Sequence, residues 1–326
     1  MPLFKSTLKL LADGQIHSQK EISHFLGIPF SIVPETLQRL FDTSIDLELD
    51  KKGYRIPGGL ELLNEKLIFN ELGNANQLLN HLEILSSIDS TNNYLLEKTA
   101  DSKKYVVFAE QQTSGRGQFN RPWISNIGKN IALSILWYLP NDPNKLMGLS
   151  LVMGLAIVQT LEEYGLNGIK LKWPNDVVYQ GKKLAGILIE TRMSKSLSTV
   201  VIGIGLNLYK PSNNPNAIDQ AVTDIYSIQK LPIQRNRFAG LLLKNSLITL
   251  SKFQVTGFSP FLEEWKKLDS LRDKSIYIQT SKVDTLEGVA RGINAYSQLR
   301  VEIKGKIYCF HSGEIRINLK PGTENC

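Results

Sequence analysis

Four short segments of the chain combine residue types that suit an anion and a nucleotide. Lys172-Trp173-Pro174-Asn175-Asp176 presents a carboxylate after a rigid Pro-Asn turn, and Lys183 follows seven residues later at the start of an apolar strand. A buried ammonium needs a partner, so Lys183 is predicted to hold an anion in a pocket. Gly115-Arg116-Gly117 and Gly203-Ile204-Gly205-Leu206-Asn207 add glycines, which let a backbone approach a ligand closely. Together these segments predict a site for an activated carboxylate and a nucleotide.

Composition indicates a globular chain of two or three domains. The 326 residues are 42% apolar and 21% charged. The longest apolar runs, Ile131–Leu139 and Leu146–Val158, are shorter than the ~20 residues of a membrane span. The first five residues lack the apolar core of a signal peptide, and only two cysteines are present, so we expect a reducing cytoplasm. The four histidines lack metal-ligand spacing, so no structural metal site is expected.

The net charge of +7 is unevenly distributed. Residues 1–57 contain seven basic and seven acidic residues, so the surplus lies wholly in residues 58–326. A basic surplus there could serve anionic small molecules, an acidic protein partner, or simply a solvated surface. Charge alone leaves these three interpretations open.

Residues 1–62 are predicted to form a winged helix-turn-helix domain. Ser18 and Glu21 form a capping box for a second helix that Gly27 ends, and a third helix is expected over residues 31–40. Residues 45–49 and 53–57 alternate as the two strands of a hairpin with Lys51 and Lys52 at its tip.

Residues 65–268 alternate strand-like and helical runs, which indicates a mixed α/β domain around one sheet. Strands are expected at 105–109, 130–139, 168–172, 184–190 and 199–207, and long helices at 146–164 and 235–253. Residues 270–320 change to short alternating strands at 275–279, 285–292, 298–303 and 306–311, which favours a small β-barrel.

The order Gly115-Arg116-Gly117, Trp123, Lys-Trp-Pro-Asn-Asp, Lys-Leu-Ala-Gly-Ile-Leu and Gly-x-Gly-x-Asn resembles biotin protein ligases over essentially the whole chain. With the N-terminal module, it is similar to the bifunctional type that also represses the biotin operon. The resemblance implies an α+β multidomain fold, with a class II synthetase-like ligase domain and an SH3-like C-terminal barrel. It also implies activation of biotin with ATP and Mg²⁺ to biotinyl-5′-AMP, followed by transfer to a lysine of biotin carboxyl carrier protein.

The resemblance assigns roles to particular residues. Lys183, Arg116 and Asp176 are the expected catalytic residues. The expected biotin-binding residues, in which short polar side chains face the ureido ring, are Ser90, Thr91, Asn92, Gln112, Gly115, Arg116, Gly117, Lys183, Gly186 and Gly205. The expected adenylate-binding residues are Arg116, Gly117, Gln118, Trp123, Asn175, Asp176, Lys183 and Asn207. Each assignment has a plainer alternative, such as helix capping by Ser90 or simple packing of Trp123.

The chain departs from the family pattern in the glycine loop and at the start of the third helix. The family commonly has an arginine after the second glycine of the loop, where this chain has Gln118. An uncharged side chain holds phosphate less firmly, so faster release of the adenylate is expected. The start of the third helix offers Phe30, Ile32 and Glu35, whereas a recognition helix normally offers base-reading polar groups there.

DNA binding is therefore one of two interpretations of the N-terminal module. Its candidate DNA contacts are Ser31, Thr36, Arg39, Lys51, Lys52 and Arg55. The alternative is a ligase whose winged helix no longer binds operator DNA. A lipoate ligase is disfavoured because its Arg-Arg, triple-glycine and His-Asp pattern is missing from the sequence, and a non-enzymatic biotin sensor is disfavoured by Lys183, Asp176 and Arg116. The resemblance further implies a homodimer when adenylate is bound, with residues 199–206 and 210–216 as candidate contacts.

Overall fold

The computed structural model describes residues 2–43, 45–98, 103–142, 146–193, 197–210, 221–280, 285–312 and 315–319. No helix among these residues is long and apolar enough to cross a membrane.

Three helices and a hairpin form the N-terminal module. They are α1 (Pro2–Leu11), α2 (Gln19–Leu26), α3 (Val33–Phe41), β1 (Glu48–Asp50) and β2 (Gly53–Arg55). The predicted capping box is confirmed, because the Ser18 side chain accepts from the Glu21 amide and Glu21 accepts from the Ser18 amide. Leu8, Leu11 and Ile22 pack with the apolar face of α3 in a separate core, which Ile127 of the central domain also joins. The predicted helix over 31–40 begins later, at Val33, after a single tight turn.

The hairpin is shorter than predicted. Only Glu48–Asp50 and Gly53–Arg55 pair, so the expected strand over 45–49 was wrong in its first half. Ile45 and Leu47 are nevertheless buried in the core of the module. Their alternation therefore reports burial rather than strand pairing.

A seven-stranded sheet forms the central domain. Its strands are β3 (His81–Leu85), β4 (Tyr105–Ala109), β5 (Asn130–Pro140), β6 (Ile169–Lys172), β7 (Asp176–Tyr179), β8 (Lys182–Met193) and β9 (Leu197–Asn207), in the order β3-β4-β5-β9-β8-β7-β6. Every neighbouring pair is antiparallel except β3 and β4. Beside the sheet lie α4 (Glu65–Glu71), α5 (Thr91–Glu97), α6 (Leu149–Glu163), α7 (Ile225–Gln229), α8 (Arg235–Thr256) and α9 (Leu262–Leu268).

The two faces of this sheet carry separate cores. Ile135 and Trp137 of β5 join the main core with α6 and α8, while Leu136 between them packs with Leu95 of α5 on the other face. This alternation follows from the two-residue period of a strand. It places the start of α5 against the sheet, on the face opposite α6 and α8.

The C-terminal sheet has five antiparallel strands in the order β13-β12-β11-β10-β14. They are β10 (Ser275–Thr280), β11 (Thr285–Ile293), β12 (Leu299–Ile303), β13 (Lys306–Phe310) and β14 (Ile315–Leu319), the last of which was not predicted. Asp269 lies at the entry to this sheet, where the Ser270 amide donates to the Leu171 carbonyl at 2.8 Å. Burial raises the pKa of the Asp269 carboxyl to about 6.

The segment between the N-terminal module and the central domain is fixed to α8. The Glu61 carboxylate accepts from the Arg235 amide at 2.6 Å and from the Asn236 amide at 3.0 Å. The buried Arg235 guanidinium pairs with Glu110, and Glu110 in turn accepts from the Leu63 amide at 2.6 Å. The N-terminus of α8 is thus capped by the connecting segment itself.

Candidate active site

The predicted ligand-binding residues line one cavity of about 480 Å³. The volume is in the usual range of small-molecule sites. The predicted residues that line it are Ser90, Thr91, Asn92, Gln112, Arg116, Gly117, Gln118, Trp123, Asn175, Asp176, Lys183, Gly186, Gly205 and Asn207. Gly115 is not part of the lining, and it lies behind it, where a Cβ atom would be 2.7 Å from the Trp123 carbonyl oxygen.

Lys183 and Asp176 form an ion pair at one end of the cavity. Asp176 begins β7 and Lys183 lies near the start of β8, and these strands pair with an irregular register between Val177 and Val178. The Lys183 Nζ is 2.6 Å from Asp176 Oδ1, and the two side chains are 18% and 13% exposed. Lys183 also pairs through its backbone with residues 221–223. The ammonium is therefore held in place and kept largely from water, as a charge that stabilises a reacting anion must be.

The charged groups of the described lining are mostly positive. Arg116, Arg121, Lys172 and Lys183 contribute four cations against the single carboxylate of Asp176. Burial lowers the pKa of the Lys172 ammonium; Asp176 opposes this shift, and the nearby charges of Lys183 and Arg121 add to it. A cavity with this excess of positive charge favours a ligand with several negative charges.

Neutral polar groups line the other end. Ser90 caps α5 by accepting from the Asn93 amide, so the capping role is present. The Thr91 amide and hydroxyl both lie 2.9 Å from Gln112 Oε1. The buried Ser134 hydroxyl lies 2.7 Å from the Thr91 hydroxyl and 2.6 Å from Asn92 Oδ1. This end offers amide and hydroxyl groups without a net charge.

Arg116 reaches from the glycine loop to the sheet. Its guanidinium donates to Glu190 Oε1 at 2.8 Å and to Asn93 Oδ1 at 2.6 Å. The side chain is one-third exposed. The loop arginine is thus already anchored next to the cavity.

Glycines leave room for side chains that pack closely against the sheet. A Cβ atom at Gly205 would lie 2.4 Å from Cε2 of Trp123, and one at Gly186 would lie 3.0 Å from Cε of Lys183. The Trp123 Nε1 donor is buried and has no hydrogen-bond partner among the described residues. A buried donor of this kind is suited to an acceptor atom of a ligand.

Two predicted adenylate-binding residues also have structural roles. Asn175 Nδ2 donates to the Ile187 carbonyl at 2.7 Å, which closes the turn before β7. Asn207 is 4% exposed and bonds to Asn130 and to the Thr223 carbonyl. Both line the cavity, but these bonds use part of their amide groups.

The candidate DNA contacts lie apart, in the N-terminal module. Ser31, Arg39, Lys51 and Lys52 are exposed, whereas Arg55 is partly buried and pairs with Glu48 at 2.8 Å. The assignment of Thr36 was wrong, because its side chain is buried and its hydroxyl donates to the Ile32 carbonyl. The helical period places it on the inner face of α3.

Sequence reasoning missed several residues at or beside the cavity. Ser134 is a lone hydroxyl within an apolar strand, and Glu190 is a carboxylate at the end of another, so both could have been noticed as polar groups in need of partners. Others that line the cavity include Arg121, Lys172 and, from the C-terminal sheet, Gln279, Ile315, Ile317 and Asn318. No local pattern could have brought the C-terminal residues to this cavity, since only the tertiary fold does so.

Comparisons with known proteins identify the family. A family model described as the biotin/lipoate A/B protein ligase family matches residues 84–207. The bifunctional ligase/repressor BirA of Escherichia coli strain K12 is 32% identical over 313 residues, covering 95% of each chain. The BirA of Bacillus subtilis strain 168 is 28% identical, covering 94% of this chain and 95% of that relative. The solved biotin protein ligase from Aquifex aeolicus in complex with biotin and ATP has a TM-score of 0.64 and 27% identity, covering 74% of this chain and 100% of that one.

The chain belongs to the biotin/lipoate A/B protein ligase family. Within that family it is an enzyme of the biotin–protein ligase type.

Proposed function

We propose that this enzyme activates biotin with ATP and transfers it to a lysine of biotin carboxyl carrier protein. In the first step a biotin carboxylate oxygen attacks the α-phosphorus, the bond to the β-phosphate oxygen breaks, and pyrophosphate leaves. In the second step the lysine amine attacks the carbonyl carbon of biotinyl-5′-AMP, the bond to AMP breaks, and the amine loses a proton. The observation that carries the proposal is the Lys183–Asp176 pair inside a cationic, glycine-lined cavity.

The charges in the cavity suit the first step, which brings two anions together. Lys183 contributes a fixed positive charge, and Asp176 holds that ammonium in position at 2.6 Å. Arg116 and Lys172 add to the positive charge of the described lining. Trp123 lies over Gly205, and its Nε1 has no hydrogen-bond partner in the part of the chain that the structure describes, so it can donate to the adenylate.

Mg²⁺ is proposed to arrive with the triphosphate rather than to bind a site of the protein's own. Among the residues that the structure describes, no three His, Cys, Asp or Glu side chains come together as metal ligands. Asp176 is the one carboxylate in the described lining. Hard phosphate oxygens are the ligands that Mg²⁺ prefers, and there it would neutralise charge on the leaving pyrophosphate.

Biotin-dependent exchange of labelled pyrophosphate into ATP tests the first step. We expect exchange with biotin and none with lipoate, and then a mass gain of one biotinyl group on an isolated carrier domain. Exchange that depends on lipoate instead would overturn the substrate assignment. Absence of exchange with either acid would reject the ligase mechanism and leave a sensor of biotin.

A second proposed function is repression of the biotin operon by a winged helix-turn-helix domain over residues 1–62. The names of the full-length relatives support it, since both are called bifunctional ligase/repressors. Exposed Ser31, Arg39, Lys51 and Lys52 are the proposed contacts, and half-buried Arg55 is a weaker one because Glu48 holds it. The alternative, a ligase without operator binding, is supported by exposed Phe30 and by the zero net charge of residues 1–57.

An electrophoretic shift with the biotin operator distinguishes these two interpretations. We expect retardation of the operator only when biotin and ATP are both present, and loss of it in Lys51→Ala/Lys52→Ala. Lys20→Ala, which removes an exposed lysine on α2, is the matched control. Operator mobility unchanged by protein under all conditions would favour the ligase alone.

Homodimerisation with adenylate bound also remains a proposal, but its surface differs from the one predicted. Residues 199–206 belong to β9, which pairs with β5 on one side and β8 on the other, so they offer no free edge. Most of the predicted segment 210–216 lies outside the described residues. Strand β8 pairs with β7 only up to Gly186, which leaves Ile189–Met193 without a second strand partner in the part of the chain described. This edge is where we propose that a second copy or the carrier protein docks.

The proposal also covers the bounds and topology of the central and C-terminal domains. We propose that the central domain spans residues 65–268 with a class II synthetase-like topology. The C-terminal sheet, residues 270–320, is proposed as an SH3-like barrel, which the five antiparallel strands support. The enzyme is proposed to act in the cytoplasm, where its substrates ATP and carrier protein occur.

A further inference from the structure

Glu190 joins two segments at the amide and hydroxyl end of the cavity. Its Oε1 accepts from the Arg116 guanidinium at 2.8 Å, and its Oε2 accepts from Asn92 Nδ2 at 2.8 Å. Arg116 belongs to the glycine loop and Asn92 to the first turn of α5, whereas Glu190 is on β8. Glu190 does not line the main cavity, but both residues that it holds do. One carboxylate therefore fixes a loop and a helix start to the sheet.

The carboxylate also decides which way the Asn92 amide faces. An ionised carboxylate only accepts hydrogen bonds, so the amide must present its NH₂ group to Glu190. Its Oδ1 then faces the Ser134 hydroxyl at 2.6 Å and lies close to β9, where a Cβ atom at Gly203 would be only 2.4 Å away. With the amide reversed, its oxygen would face the carboxylate. Glu190 thus excludes the reversed amide, together with the Leu188 carbonyl, which accepts from the same Nδ2 at 3.5 Å.

The orientation of the Asn92 amide also affects the hydrogen bonds of Ser134, Thr91 and Gln112. Ser134 contacts both Asn92 Oδ1 and the Thr91 hydroxyl, and Thr91 contacts Gln112 Oε1. The two hydroxyl groups of Ser134 and Thr91 have only one proton each for these three oxygen–oxygen contacts. Because Asn92 Oδ1 can only accept, the Ser134 proton is drawn to it, and the single Thr91 proton serves either Ser134 or Gln112 Oε1. Gln112 Oε1 accepts from the Thr91 amide in either case.

We propose that Glu190 is a positioning residue for the cyclic urea of biotin, acting through Asn92 and Arg116 without touching the ligand. The inference rests on the proposed function and deepens it. Biotin has a carboxylate at one end and a neutral urea at the other. The Lys183–Asp176 end of the cavity suits the carboxylate, so the urea lies at the amide and hydroxyl end that Glu190 orders.

Glu190→Gln tests the proposal, because it keeps the shape of the side chain but removes the charge and brings an NH₂ group to a site that needs two acceptors. We expect the Kd for biotin, measured by calorimetry without ATP, to rise about tenfold, and the KM for biotin to rise with it. The KM for ATP and the kcat at saturating biotin should change less than the Kd for biotin, because Glu190 holds Arg116 but touches neither substrate. Glu190→Asp keeps the charge and should bind biotin more tightly than Glu190→Gln does.

The matched control is Glu163→Gln on α6, which removes the same type of group from a solvent-facing ion pair with Lys244 at 3.4 Å. It should leave the Kd for biotin unchanged. In an Asn92→Ala background, Glu190→Gln should weaken biotin binding by less than it does in wild type, since part of its effect passes through Asn92.

Two results would overturn the inference: a Kd for biotin within twofold of wild type in Glu190→Gln, or a fall in kcat and thermal stability with no change in that Kd. If instead wild-type protein binds biotin but forms no adenylate, the proposed reaction fails while the positioning role stands on the binding data. If wild-type protein binds no biotin, both fail together.

Discussion

Gly205→Ala is the substitution whose effect the structure specifies in most detail. The new Cβ atom would lie 2.4 Å from Cε2 and 2.6 Å from Cζ2 of Trp123, whereas ordinary van der Waals contact begins at 3.4 Å. The indole ring must therefore move away from β9 by about 1 Å. Overpacking on this scale costs about 1–3 kcal/mol, although alanine suits a strand interior better than glycine does.

Two measurements follow from the displaced ring. Urea unfolding should show a loss of about 1–3 kcal/mol in the free energy of unfolding of Gly205→Ala. The KM for ATP should rise in the pyrophosphate-exchange assay, since Trp123 no longer covers the cavity in its original position. Exchange at saturating ATP should be affected less, because the Lys183–Asp176 pair on β8 and β7 is untouched.

A double-mutant cycle of Gly205→Ala and Trp123→Ala tests whether the clash with the indole ring causes the loss of stability. In a Trp123→Ala background the methyl group meets no indole ring, so the stability cost of Gly205→Ala should shrink to below about 0.5 kcal/mol. An equal cost in both backgrounds would show that the clash with Trp123 is not the cause. The reasoning about the glycine-lined face would then be wrong.

Three further substitutions test other parts of the molecule. Lys183→Gln should slow adenylate formation by about 100-fold or more in pyrophosphate exchange, with exposed Lys182→Gln as its unaffected control. Gln118→Arg should slow the dissociation of biotinyl-5′-AMP, followed by stopped flow, because a guanidinium binds phosphate more firmly than an amide; an unchanged rate contradicts this. Asp269→Asn should raise the free energy of unfolding by up to about 3 kcal/mol at pH 7 and by nearly nothing at pH 4 in urea titrations.

The sign of the Asp269 effect follows from proton linkage. Its carboxyl has a pKa of about 6 in the folded protein against an ordinary value of 3.8 for aspartate, so the folded state binds the proton more tightly. The free energy of unfolding of the wild type therefore falls as pH rises from about 4 to about 6. The asparagine variant does not show this fall, because asparagine does not titrate. A gain that is equal at both pH values would rule out titration of Asp269 as the cause.

The sequence predicted five of the seven strands of the central sheet, including the edge strand β6, and missed two short ones. Strand β4 is found with the predicted bounds, and β5 and β9 within two residues, because buried strands are continuous apolar runs. Strands β3 and β7 were missed, since short strands at or near a sheet edge mix polar and apolar residues. The failed edge assignment of residues 199–206 has a similar origin, because strand order is a tertiary property that an apolar run does not encode.

For the site, the motifs identified what meets the ligand but not what holds those residues in place. Lys183, Asp176 and Arg116 are found together at the cavity, as the motif order implied. Glu190 was missed as a site residue because its partners, Asn92 and Arg116, are distant in sequence and meet it only in the fold. Thr36 was misassigned because its polarity was taken for exposure, although α3 turns it inward.

The capped start of α8 has a consequence for any change near residues 61–63. A flexible linker tolerates insertion, since only its length and stiffness matter. Here an added residue between Glu61 and Leu63 would separate the carboxylate that caps α8 from the amide that Glu110 binds. Chimaeras that exchange the N-terminal module between relatives should therefore join the chains upstream of Glu61. A junction placed downstream would disturb the contacts of Glu61 and Leu63 with α8 and Glu110. The buried pair of Arg235 and Glu110 would then lose the hydrogen bond from the Leu63 amide.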